Sequence, residues 1–258
     1  MTTDAPGPQS THESPVAPGT HGAHESSGAP GSPDPYDAHE AHRSFLGLLH
    51  AQRVWDVELP SFDPATAPPD PLALFHRWFA GAVAAGQPEP HTMSLATTDA
   101  EGHPDVRTVM LHDADGRGWH FATHRTSAKG RQLAARPYAA LGFYWPAQGR
   151  QVRLRGPVTA CPPAEGRADL RARSTGALAA ALTGTQSEVL GSAEELERAS
   201  DAAWERARTA PDTEVASWTR YVLEAREAEF FQGDARRRHV RLRYRRRDAG
   251  WERDLLWP

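Results

Sequence analysis

Beyond residue 92 the apolar residues of this chain recur with a period of two, in short runs parted by turn residues. That pattern admits little except an antiparallel β fold. Met93–Thr98, an Ala-Glu-Gly-His-Pro turn and Val106–His112 read as a hairpin, and Asp115-Gly116 turns the chain into Trp119–His124. Tyr138–Trp145, Gln151–Val158, Trp218–Leu223 and Ala228–Phe231 read as further strands. A closing hairpin pairs 238–246 with 251–257 across Asp248-Ala249-Gly250. Helices interrupt this pattern. Asp70-Pro71 ahead of Leu72, Leu74, Phe75, Trp78, Phe79 and Val83 is a capped amphipathic helix that Gly86 and Pro88 end. Shorter helices are expected at Ser127–Ala135, 162–173 and 192–208. The fold class that follows is mainly β with helices: one antiparallel barrel with helical decoration.

The N-terminus belongs to another regime. Residues 1–35 hold seven Pro and five Gly and no aromatic residue, so burial there cannot offset the entropy of ordering. No Lys or Arg precedes Arg43, whereas Asp4, Glu13, Glu25, Asp34, Asp37 and Glu40 do. We therefore expect a disordered acidic tail over 1–42 and one domain over 43–258. The tail histidines (His12, His21, His24, His39, His42) lack regular spacing, and no metal site is assigned to them. A basic n-region and a continuous apolar h-region are both missing, and no apolar run is long enough to span a bilayer. The expectation is a cytoplasmic protein with no membrane partner. The single Cys161 excludes an intramolecular disulfide framework.

The common catalytic signatures are missing: no Gly-rich phosphate loop after a strand, no His-Glu-x-x-His, no Gly-x-Ser-x-Gly. The basic run from Arg236 to Arg247 invites a nucleic-acid reading. As a strand, though, it places Val240, Leu242 and Tyr244 on one face and His239, Arg241 and Arg243 on the other. With a net charge of −4 for the whole chain, the body beyond the acidic tail is barely basic, so no nucleic-acid partner is expected. A solvated barrel rim or a site for a small anion fits better, since guanidinium groups hold carboxylates and phosphates bidentately. Two more segments carry suitable groups. Arg107 opens the strand running to His112, and His120–Gly130 is a strand, a hydroxyl-rich loop and a helix start that contains Lys129, the sole lysine among 29 basic residues. A helix N-terminus beside Thr, Ser and Lys is an anion site in physical outline. The bland alternative is that an Arg-rich composition left one lysine behind.

These segments, with Phe143-Tyr144-Trp145-Pro146 through Arg150-Gln151-Val152, Gln186-Ser187, Glu229-Phe230-Phe231-Gln232-Gly233 and Arg237-Arg238-His239-Val240-Arg241, fall in the order and spacing of one family. Over about residues 70–258 the chain resembles the pyridoxamine 5′-phosphate oxidase family of FMN enzymes. The resemblance implies an FMN-binding split β-barrel and a homodimer with FMN at the subunit interface. It implies cofactor contacts from the strand Arg107, Thr108, Val109, Met110, Leu111 and His112, and from Ala122, Thr123 and Lys129. Gln151, Gln186, Ser187, Phe231 and Arg241 complete that set. Phe231 stands where the family usually has Trp, and Ala128 where it has an Arg beside the phosphate, which would leave more of that charge to Lys129.

The substrate side departs from the vitamin enzymes. Where they hold the substrate phosphate with Lys, Tyr, Arg and Ser, this chain has His112, Asp169, Arg173 and Ala177, and an Asp repels a phosphate dianion at close range. Arg237 and His239 are retained. The phenazine-biosynthesis branch of the family, whose substrates are partly reduced tricyclic carboxylic acids, also lacks the full phosphate cage and is the closer match. The resemblance thus implies an FMN-dependent oxidoreductase of secondary metabolism and antibiotic biosynthesis. It would take an anionic reduced heterocycle, with dioxygen as oxidant and hydrogen peroxide as product. Arg237 and His239 are the catalytic candidates, and His112 and Arg173 join them in binding substrate. A pyridoxamine/pyridoxine 5′-phosphate oxidase and a non-catalytic flavin-binding protein are the alternatives.

Overall fold

The computed structural model describes residues 38–55 and 57–258. The tail expected over 1–42 therefore lies mostly outside the described residues. α1 (Ala38–His50) spans the expected boundary, and the chain divides into Met1–Gln52 and Arg53–Pro258. His39 and His42, read as tail, sit on α1.

In the larger unit Asp70 accepts a hydrogen bond from the Leu72 amide at 2.9 Å and starts α2 (Pro71–Ala84). The cap removes one orphan donor and Pro71 costs none, since its position needs no N–H. Leu74, Phe75, Trp78 and Ala82 form the buried stripe of this helix. Phe75 meets Phe143 at a centroid distance of 5.1 Å, and Trp78 meets Phe230 edge-on at 5.2 Å. The helix thereby closes the core formed by Leu95, Phe121, Leu141, Trp145 and Leu154. Each such side chain contributes about 1.5–3 kcal/mol on burial.

The strands are β1 (Thr92–Thr98), β2 (Pro104–Met110), β3 (Asp113–Asp115), β4 (Gly118–His124), β5 (Tyr138–Trp145) and β6 (Arg150–Ala160), then β7 (Trp218–Leu223), β8 (Glu227–Gln232), β9 (Val240–Arg247) and β10 (Gly250–Leu256). All recorded pairings are antiparallel. The main path runs β10-β9-β8-β6-β5-β1-β2, and β4 pairs with β3 and β7. The long β6 pairs with β8 over Arg150–Arg155 and then with β7 over Val158–Ala160, so one strand serves both halves of the split barrel. Ser127 caps α3 (Ala128–Ala135). The remaining helices are α4 (Pro163–Arg171), α5 (Thr175–Thr183) and α6 (Ala193–Thr209), and a second small core of Leu170, Leu178, Ala179, Ala181 and Ala207 lies among them.

The expected mainly β barrel with helices is what forms, with three local differences. The strand expected over Val106–His112 stops at Met110, because the His112 amide turns to donate to His120 O at 2.8 Å. The short β3 was not expected. Neither was α5, whose sequence TGALAAALT has no polar face to give it a helical period and whose main signal is its Ser174 cap. Among the described residues no helix is long and apolar enough to cross a membrane.

Candidate active site

Three groups of polar side chains emerge from this scaffold. The first lies where β1, β2 and β4 meet the start of α3. Ser127 accepts the Gly130 amide at 3.3 Å, which turns the helix N-terminus and Lys129 inward. Lys129 is 8% exposed, and its Nζ donates to Gln186 Oε1 at 2.9 Å and to Ser127 Oγ at 3.4 Å. Thr123 Oγ1 donates to the same Gln186 oxygen at 3.0 Å. Burial, and after it the neighbouring Arg107 charge, push the Lys129 pKa below the ordinary lysine value. Arg107 is pinned in turn: Nη1 donates to Leu95 O at 3.0 Å and Thr97 Oγ1 at 2.5 Å, and Nη2 to Asp105 Oδ2 at 2.5 Å and Gln132 Oε1 at 3.0 Å. Arg107 already has Asp105, whereas Lys129 is buried without a carboxylate partner of its own, and an anion entering here would supply one. Ser187, next to Gln186, has φ +77°, a left-handed backbone that a non-glycine residue adopts at a cost.

The second group lies along β6, β8 and β9. Phe231 pairs with Gln151 on one side and Arg241 on the other. Arg241 Nε donates to the buried Glu229 at 2.8 Å, and Nη1 donates to Trp257 O at 2.8 Å. The turn into β9 is organised by Asp234, whose Oδ1 accepts the Arg236 amide at 2.7 Å and the Arg238 amide at 3.3 Å. The Asp234 amide donates to His239 Nδ1 at 3.1 Å, which places the imidazole proton on Nε2 and makes that atom a donor. Arg237, at φ +63°, is exposed at the tip of this turn.

The third group surrounds Asp169 on α4. His112 Nδ1 donates to Asp169 Oδ1 at 2.8 Å, and Arg173 Nε and Trp218 Nε1 donate to Oδ2 at 3.1 and 3.0 Å. Arg173 Nη2 also contacts His112 Nε2. These donors hold the Asp169 carboxyl far below the usual carboxylate range despite its burial.

The sequence-derived residues thus separate by position. Arg107, Thr123, Lys129 and Gln186 come together, with Ala122 beside Thr123 on β4. Thr108 and Met110 point to the exposed face of β2, while Arg107 and Val109 are half-buried; Leu111 and His112 follow the strand. Gln151, Phe231, Arg237, His239 and Arg241 form the second group and Arg173 the third. The cationic strand read at Arg241–Arg247 is largely neutralised: Asp254 takes Arg243 and Arg245, and Glu252 takes Arg245 and Arg247.

Sequence reasoning missed Trp55. Its ring lies 5.2 Å from His239 and 6.1 Å from Phe231, and a Cβ on Gly233 would come within 2.9 Å of it. The hint was the glycine of Phe231-Gln232-Gly233, which admits a ring where any side chain would collide. Tertiary folding also brings Asp113, Asp115 and His120 close enough to suggest metal ligation. Arg220 already fills that place, donating to Asp113 at 2.9 Å and to His120 Nδ1 at 3.2 Å.

The donor set of the first group suits a phosphate monoester, with a compact ammonium, a guanidinium, a hydroxyl and a helix N-terminus converging. Comparison with known proteins points the same way. Residues 79–207 match the profile described as pyridoxamine 5′-phosphate oxidase, and residues 218–258 match that of the pyridoxine 5′-phosphate oxidase C-terminal dimerisation region. A pyridoxine/pyridoxamine 5′-phosphate oxidase of Pseudomonas fluorescens (strain SBW25) is 44% identical over 206 residues, covering 79% of this chain and 95% of the relative. Among solved structures, PhzG from Burkholderia lata 383 in complex with tetrahydrophenazine-1-carboxylic acid superposes with TM-score 0.74 at 29% identity, covering 78% of this chain and all of that one. An FMN-binding protein related to pyridoxamine 5′-phosphate oxidase, from Nostoc punctiforme PCC 73102, shares the fold at TM-score 0.59 and 20% identity, over 77% of this chain and 99% of its own.

Proposed function

This chain belongs to the pyridoxamine 5′-phosphate oxidase family, an FMN-dependent oxidoreductase with that family's dimerisation region, and from this we propose that it oxidises a reduced heterocyclic carboxylic acid of the dihydro- or tetrahydrophenazine type. The observation that carries the reading is the distribution of uncompensated charge. Of the cations named from the sequence, Arg107 is paired with Asp105, Arg173 with Asp169 and Arg241 with Glu229. Of the cations named from the sequence as cofactor or substrate contacts, Lys129 and Arg237 make no ion pair with a carboxylate among the described residues. Lys129 is buried within the group that suits the FMN phosphate. Arg237 is exposed on the turn two residues before the His239 donor, whose ring lies 5.2 Å from Phe231, and one guanidinium with one Nε2–H matches a single carboxylate rather than a phosphate dianion. PhzG of Burkholderia lata, whose structure holds a carboxylic acid of this type, supports the same reading.

FMN supplies the hydride acceptor, and dioxygen is the proposed final oxidant, giving hydrogen peroxide. The protein's part is placement. Lys129, Arg107, Thr123 and Gln186 hold the cofactor phosphate, and Gln151, Phe231 and Arg241, with Ser187, are the proposed contacts for the rest of the cofactor. Arg237 and His239, together with His112 and Arg173, are the proposed substrate contacts, and they would orient the anionic substrate for loss of hydride. With its proton on Nε2, His239 donates to the substrate rather than accepting from it. Gained aromaticity drives the reaction, so no strong base is required.

The 44% identity to pyridoxine/pyridoxamine 5′-phosphate oxidases favours a second reading, the oxidation of a pyridoxine or pyridoxamine phosphate. Oxygen consumption by the FMN-loaded protein separates the two. We expect turnover with a reduced phenazine carboxylic acid and little with pyridoxine 5′-phosphate; efficient turnover of the phosphate ester would overturn the proposal. Bound FMN with no turnover of either would indicate a flavin-binding protein without catalytic function.

A further inference from the structure

The third polar group is a closed ring of three side chains. Arg173 Nε donates to Asp169 Oδ2 at 3.1 Å, His112 Nδ1 donates to Asp169 Oδ1 at 2.8 Å, and Arg173 Nη2 contacts His112 Nε2. Arg173 Nη2 also lies 2.7 Å from His112 Nδ1, so the guanidinium sits against both ring nitrogens. Within this ring the charges of Arg173 and Asp169 cancel. Asp169 and His112 are nearly buried, at 8% and 11% side-chain exposure, and Arg173 is 21% exposed. Trp218 locks the ring from the far side, donating to Asp169 Oδ2 at 3.0 Å, with the Arg173 Cζ 5.2 Å from its ring centroid. Arg173 Nη1 alone makes no hydrogen bond among the described residues. The Asp169–Arg173 pair can therefore offer an incoming anion one guanidinium edge and no net charge.

We propose that Asp169 is a specificity-determining residue, which cancels the Arg173 charge so that the site accepts a singly charged acid and disfavours a phosphate dianion. This rests on the reading that His112 and Arg173 face the substrate, and it deepens that reading by assigning the discrimination to one side chain. Asp169 acts through Arg173 and His112 rather than by touching the reacting atoms. The physics is differential. A carboxylate at this site repels a dianion twice as strongly as a monoanion, so removing its charge improves both but improves the phosphate more.

The test uses the FMN-loaded full chain, with phenazine-1-carboxylate and pyridoxal 5′-phosphate as probes and the change in flavin absorbance as readout. The wild-type protein is expected to bind the carboxylate more tightly. Asp169→Asn should shift the affinity ratio toward the phosphate by about tenfold or more, the size expected for one extra unit of repulsion a few ångströms away in a partly screened site. Asp169→Glu should keep the wild-type ratio. Arg173→Gln, which leaves Asp169 uncancelled, should move the ratio the other way, and it serves if Asp169→Asn does not fold. General loss of structure would weaken both probes together and could not produce opposite shifts. An unchanged ratio in Asp169→Asn and Arg173→Gln overturns the inference, as does failure of both probes to perturb the flavin. The underlying reading fails on a different observation, turnover of pyridoxine 5′-phosphate but not of the reduced carboxylic acid by the wild-type protein. That result overturns both.

Discussion

Lys129 shows how far one residue can be read from sequence. Its solitude among 29 basic residues, with Ser127 before it and Gly130 after it, marks a helix start suited to an anion. Its burial against Arg107 without a carboxylate is visible only in the fold. A hydrogen bond to a charged group is worth about 1.5–3 kcal/mol, so Lys129→Ala should weaken FMN binding by roughly 10- to 100-fold. The melting temperature of the cofactor-free protein should not fall, because the substitution also removes a buried charge. Flavin fluorescence titration and thermal melts read the two effects, and unchanged FMN affinity would return the lysine to a remnant of composition. A pH effect follows from the same geometry. Burial depresses the Lys129 pKa in the free protein and a bound phosphate raises it again, so binding takes up a proton once the pH exceeds the depressed value. FMN affinity should accordingly decline on the alkaline side before the ordinary lysine pKa is reached. Lys129→Arg should remove that alkaline limb, since guanidinium does not titrate there.

At the scale of elements, capping and period sufficed for most of the chain. Asp70 and Ser127 sit at the N-caps where the sequence places them, and β5 and β7 run over Tyr138–Trp145 and Trp218–Leu223 as the alternation predicts. Asp70→Ala should cost about 1 kcal/mol of stability in chemical denaturation, the usual worth of an N-cap. Illegible in the alternation was the place where β6 changes partners. Residues 224–226 cross over Gly156 there, with the Arg226 amide donating to Arg155 O at 2.8 Å and the Glu224 amide to Pro157 O at 3.0 Å. A Cβ on Gly156 would lie 1.9 Å from Glu224 O. Gly156→Ala should therefore destabilise the protein by about 3 kcal/mol or more, at or beyond the upper end of ordinary overpacking, and a melting temperature within a degree or two of wild type would contradict this account of the strand switch.

For the whole molecule, the open face of the sheet matters most. Across it Thr108, Ser94 and Gly142 form one cross-strand row that continues into the charged positions Arg153, Glu229 and Arg243. A Cβ on Gly142 would meet only Ser94 Cβ, at 3.9 Å, so the protomer by itself does not require glycine there. A second protomer lying on this face would. Gly142→Leu is thus expected to leave the fold intact, to shift the protein toward monomer in sedimentation, and to release FMN more readily. A fully dimeric variant would place the interface elsewhere. Local chemistry along the chain determined the antiparallel strands, the capped helices, and a motif order specific enough to name the family and its cofactor. Tertiary structure alone decided which of the many arginines still carry usable charge. Cancellation needs a carboxylate within a few ångströms, and for the Asp169 ring the partners come together from positions as far apart as His112 and Arg173, a separation that neither alternation nor capping can register.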